Sequence, residues 1–201
     1  MEQSIPVSLP AVQPPRLGAG FGLRAGAQIV DLIIHNVIGL AVSFIVGILI
    51  AIYAIATGTP SSVLVDKLQG TTPLGYILAL LGYVFYHAVC EGMHGATLGK
   101  LIFKVHVLKE DGNPTGIGSA IIRSFAFYID GLFFGIIAAA SMRSSELQQR
   151  LGDKWAKTVV VERSKFNQYP WPSGWKFVFV FLLAVIADGF IFTLSLLLKL
   201  I

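Results

Sequence analysis

The sequence predicts an all-α integral membrane protein. It has three transmembrane helices plus a re-entrant or interfacial helical hairpin, or else four transmembrane helices, and a small cytoplasmic β-ribbon. Three observations carry this. Of 201 residues, 55% are hydrophobic and 13% charged, with a mean hydropathy of +0.74, too apolar for a soluble domain of that length. Apolar runs fill Val37–Ala56, Leu74–Cys90 and Trp175–Leu198, and a fourth run, Ile117–Ser141, is interrupted by Asp130-Gly131. Basic residues flank these runs, as membrane topology demands, so the net charge of +4 makes no case for nucleic acid. The single cysteine, Cys90, excludes an intrachain disulfide framework and a multi-cysteine zinc site.

Residues 1–22 contain Pro6, Pro10, Pro14 and Pro15 followed by Gly18, Gly20 and Gly22, without the apolar core of a signal peptide. They read as an extended cytoplasmic tail. Next, Arg24, Gln28, Asp31 and His35 follow one another at helical steps and form a polar stripe on one face. A span framed as Ile29–Leu49 would bury Asp31, at a cost on the order of 3 kcal/mol near the bilayer centre; Val37–Ala56 avoids this. The stripe then becomes an amphipathic lead-in at the headgroup level.

A short loop, Thr57–Pro73, with Asp66 and Lys67, leads into the second span. Toward its end Tyr83, His87, Glu91 and His94 make a second polar stripe. Antiparallel spans joined by a short loop place Asp31 and His35 on the same side as His87 and Glu91.

Downstream, Phe103, Val105 and Val107 alternate with Lys104 and His106 before an Asp111-Gly112-Asn113-Pro114 turn, and Thr158–Glu162 is a second strand signal. The two are expected to pair outside the bilayer. Gly95–Lys100 has the wrong spacing for a phosphate-binding loop, three residues before Gly-Lys rather than four, so no nucleotide is expected there.

Three segments, GLRAGAQIVDLII, GATLGKLIFKVHVLKEDGNPTGIGSAIIRS and QQRLGDKWAKTVVVE, resemble in content and order the RDD family of small membrane proteins, over roughly Leu23–Val161. The resemblance implies that the family arginine is Arg24 and its first aspartate Asp31. It places the second aspartate at Asp153, with Asp130 as the other claimant. It also implies a part in transport of poorly defined ligands. Where many relatives carry an arginine after the first motif alanine, this chain has Gly26, which argues against a paired basic site there. The domain plan is then tail 1–22, RDD-like membrane domain 23–163, linker 164–174 and an additional helix 175–201. The linker is stiffened by Tyr169-Pro170-Trp171-Pro172, and Trp171 and Trp175 suit the interface.

Four alternating spans would put Arg143, Arg150, Lys154, Lys157, Arg163 and Lys165 opposite Lys100, Lys104 and Lys109, against the positive-inside rule. A break at Asp130-Gly131, with Arg123 and Asp130 on one face, permits a hairpin that returns to the cytoplasmic side. Only Lys67 and Lys199 then remain outside. Gly131, Gly135 and Ala139 offer it a small-residue face.

Seven residues along a helix is about 10 Å, so Arg24 and Asp31 each need another partner. Asp153 is the expected partner of Arg24, or else a helix cap. His35, His87, Glu91 and His94 carry groups that suit zinc, but their spacing demands no metal. Proton handling is the preferred reading, and no cofactor is expected. Asp188, in mid-span, must be protonated, paired with a group such as Arg123, or hydrogen-bonded between helices. Helix association is its preferred role.

Two functions follow. One is a transport-associated component, ion- or proton-coupled, acting as a homo-oligomer or with other membrane subunits in the bacterial cytoplasmic membrane. The alternative is a non-transporting accessory or assembly subunit. No nucleophile–base constellation recommends an enzyme.

Overall fold

The computed structural model describes residues 18–60, 62–63, 73–165 and 174–197. The prolines of the tail, Asp66, Lys67, the Tyr169–Pro172 linker and Lys199 lie outside the described residues. In chain order the elements are α1 (Phe21–Thr57), α2 (Pro73–His94), α3 (Leu98–Ile102), β1 (Val105–Lys109), α4 (Ile117–Asp130), α5 (Leu132–Arg143), α6 (Leu151–Ala156), β2 (Thr158–Glu162) and α7 (Gly174–Leu197).

No proline interrupts the chain from Phe21 to Thr57, and Gly58 ends the helix in the left-handed conformation at φ 69°. At about 1.5 Å per residue α1 is ~55 Å long, far beyond a hydrocarbon core of ~30 Å. The excess lies at its N-terminal end, where Arg24, Ala27 and Asp31 are buried in protein. Farther along, Leu40, Phe44 and Ile55 are exposed, the surface expected of a helix in lipid. Helices α1, α2 and α7 are long and apolar enough to cross a membrane.

Helix α7 packs along α2 through Tyr86, Cys90, Val89, Phe181 and Ala184. The Asp188 carboxylate occupies the space that a Cβ at Gly82 would take. Gly82→Ala is therefore expected to destabilise the α2–α7 contact by about 1–3 kcal/mol. Thermal unfolding of the detergent-solubilised chain measures this; an unchanged midpoint would refute the close approach.

The fourth apolar run is not a straight helix. Segments 117–130 and 135–143 meet at 111°, with Phe133 at φ 53° and Gly135 at φ 83°. Gly135 thus serves the bend, a position for which glycine lacks the usual steric penalty, and it faces the Phe21 ring.

Strands β1 and β2 pair antiparallel, with Val105 opposite Glu162 and Val107 opposite Val160. The expected alternation of apolar and exposed polar residues gives way to burial on both faces, His106 included. Val105, Val107 and Val160 pack under Ala19 and Ala27, while Leu108, Val159 and Val161 pack with Leu147. The Ala19 N–H also donates to the Val160 carbonyl at 2.6 Å, which ties the start of α1 to the ribbon.

Candidate functional site: a buried charged network

The α1 stripe does lie on one helix face, but its members reach different partners. Arg24, nearest the ribbon, donates to the Asp153 carboxylate and to the Gln148 carbonyl at 2.9 Å. Asp153 also pairs with Arg123 and accepts the Arg150 N–H at 3.0 Å, so it caps α6 as well as binding two guanidiniums. The alternatives of cap or Arg24 partner are therefore both occupied.

Arg123 extends the network. It donates to Glu91 Oε2 at 3.0 Å and to Thr158 Oγ1 at 3.0 Å. The other Glu91 oxygen accepts from Lys100, and His87 Nδ1 lies 3.2 Å from it. The Gln28 amide donates to the Tyr83 hydroxyl and sits 3.4 Å from His87 Nε2. Apart from Thr158, these groups surround a cavity of about 30 Å³, room for a water-sized occupant. Charges so far from water persist only when each is paired, and Glu91 and Asp153 each meet two cations.

Asp31 belongs to a separate cradle. Fully buried, it accepts from Thr97 Oγ1 at 2.6 Å, the Gly99 N–H at 2.9 Å and the Tyr86 hydroxyl at 3.2 Å. It thus pins α1 to α2 and to the start of α3. The tight turn leaves no room for a side chain at Gly99, whose Cβ would meet the Asp31 carboxylate and the Ala27 carbonyl. A side chain at Gly26 would enter the Phe103 ring, which explains why this chain carries none there.

Asp130 accepts from the Leu151 and Gly152 N–H groups at 3.3 and 3.4 Å, holding the first turn of α6. His35 lies one step deeper along α1. Its Nδ1 is 2.8 Å from Asp188 Oδ2, and its ring meets Tyr83 edge-on at 5.3 Å. Asp188 is thus partnered by His35, whereas Arg123 is committed to Glu91 and Asp153. His94 leaves the stripe to pack on Phe177 at 5.9 Å. Buried His106, beside the same region, has its pKa pulled down to about 4, chiefly by burial, and stays neutral.

Lys100, Tyr86, Thr97 and Arg150 complete these clusters, although the sequence marks Lys100 and Arg150 only as topological charges and gives the other two no role. The only further signal was local: Lys100 and Thr97 sit in the GATLGK segment, where the glycine pattern drew attention to phosphate instead. Among the described residues, no group of three or more His, Cys, Asp and Glu side chains is disposed to hold a metal ion.

A pattern joining this arginine and these aspartates to helices of this order is that of the RDD family, which matches residues 18–157. The chain belongs to the RDD family. It is 30% identical over 122 residues to the uncharacterized protein YxaI of Bacillus subtilis (strain 168), covering 59% of this chain and 81% of that protein. No solved structure matches. Its apolar helices and its family make this RDD protein an integral membrane protein. Helix α7 lies beyond the matched residues, yet its Asp188 reaches His35 inside them.

Proposed function

We propose that this RDD protein is a transport-associated component, proton- or ion-coupled, acting as an oligomer or with partner subunits in the bacterial cytoplasmic membrane. The observation that carries the reading is the His35–Asp188 pair, set between apolar helices and linked by way of Tyr83, Gln28 and His87 to Glu91. Histidine is suited to changing charge near neutrality, and its carboxylate partner here is not locked by a guanidinium. Asp31 is a poorer carrier, because three donors already hold its carboxylate. In this reading the tail and ribbon are cytoplasmic and the α4–α5 elbow is re-entrant. That arrangement gathers the basic residues from Lys100 to Lys165 on one side.

Proteoliposomes loaded with a pH-sensitive dye test the proposal. Cation-dependent proton movement is expected from the intact chain, reduced about 100-fold or more by Asp188→Asn and by His35→Gln. Full flux in both variants would exclude the pair as the route. A second reading is an accessory subunit, in which the lipid-facing side of α1, with Leu40, Phe44 and Ile55, seats a membrane partner. In that case the intact chain moves no protons and co-purifies with a membrane partner.

A further inference from the structure

A second cavity, of about 530 Å³, lies between the N-terminal half of α1 and the α4–α5 elbow. Phe21, Ile29 and Leu32 line one side, and Phe127, Gly135 and Ala138 the other. Its size is that of a small-molecule site, and its lining is almost wholly apolar. Half-exposed Ile29 and Leu32 leave it open on one side. At its inner end it shares Gln28, Tyr83, Asp130 and Arg150 with the charged cavity.

The charges at that end do not balance. Around the polar cavity stand four cations, Arg24, Lys100, Arg123 and Arg150, against three carboxylates, Glu91, Asp130 and Asp153. Glu91 and Asp153 are taken by Lys100, Arg24 and Arg123, and Asp130 by the backbone of α6. Arg150 is the cation left over. Its Nε is fully buried and has no hydrogen-bond partner among the described residues. Burial pulls its pKa down to about 9, and nearby Arg24 and Arg123 add to this, outweighing the attraction of Asp130 and Glu91. Arg150 is half-buried, and a cation whose buried Nε has no partner lacks an anion there.

We infer that the cavity holds one anionic phospholipid of the surrounding bilayer, an acyl chain lying between α1 and the elbow and the phosphate on Arg150. A guanidinium offers a phosphate two parallel donors, and basic pockets between membrane helices are fitted to anionic headgroups. A lipid with a single negative charge matches the surplus of one cation. A soluble anion would leave the apolar volume unfilled. The inference is independent of any transport activity.

The test is fluorescence-anisotropy titration of the full chain in detergent with tail-labelled phosphatidylglycerol, and separately with tail-labelled phosphatidylcholine. Phosphatidylglycerol is expected to bind about tenfold more tightly. Arg150→Gln should remove that preference and leave phosphatidylcholine unchanged, Arg150→Lys should retain part of it, and Ile29→Trp should weaken both lipids by filling the cavity. Excess inorganic phosphate should not displace the probe. Equal affinity for the two lipids, or an unaltered Arg150→Gln, overturns the inference. So does displacement by inorganic phosphate, which would mean a headgroup site without a chain. Absence of any lipid binding by the intact chain overturns it equally. If Arg150→Gln does not fold, the comparison of lipids and the Ile29→Trp result still decide.

Discussion

Asp153→Asn is expected to destabilise the protein by about 3–5 kcal/mol, the cost of leaving buried charge uncompensated. Arg24 and Arg123 both face this carboxylate, and both are almost fully buried. The amide keeps the shape and can still accept the Arg150 N–H that caps α6, so the loss reports charge rather than helix capping. Denaturant unfolding in detergent micelles measures it, and a change below about 1 kcal/mol would place the network among pairs of little energetic weight. A charge swap between positions 24 and 153 is a poor test of their pairing, because an arginine at 153 would face Arg123. Rescue is therefore expected to fail even though the pair is real.

Asp31→Ala should be of comparable size for a different reason. It removes one acceptor from three buried donors, the Thr97 hydroxyl, the Gly99 N–H and the Tyr86 hydroxyl. Each donor left without a partner costs about 1–3 kcal/mol. Asp31→Asn should lose less, since its carbonyl oxygen can still accept, while its amide hydrogens face a donor. The order Asp, Asn, Ala in unfolding midpoint checks this, and an asparagine variant no more stable than alanine would show that the full carboxylate is needed. Any flux lost in Asp31→Asn should come with lost stability. The Asp188→Asn variant separates the two, because it removes the charge from a single contact with His35 while an amide can still hydrogen-bond there.

The sequence by itself determined the apolar runs, the two polar stripes and the strand pair. These are properties of composition and of local period, which 3.6 residues per helical turn makes readable without any tertiary contact. It also brought Arg24 toward Asp153, through a family resemblance and a charge argument that depends only on which side of a membrane each lies. Only the tertiary structure decided who meets whom. Asp188 meets His35, 153 residues away, and not Arg123, because the register of a uniformly apolar helix such as α7 leaves no periodic mark. Lys100 reaches Glu91, and Asp31 enters a cradle of Thr97, Gly99 and Tyr86, through turns whose backbone direction a residue pattern does not specify. The fourth run bends by 111° through left-handed backbone at Phe133 as well as Gly135. A glycine there was visible, but a phenylalanine at positive φ is imposed by its surroundings and not by its own preference.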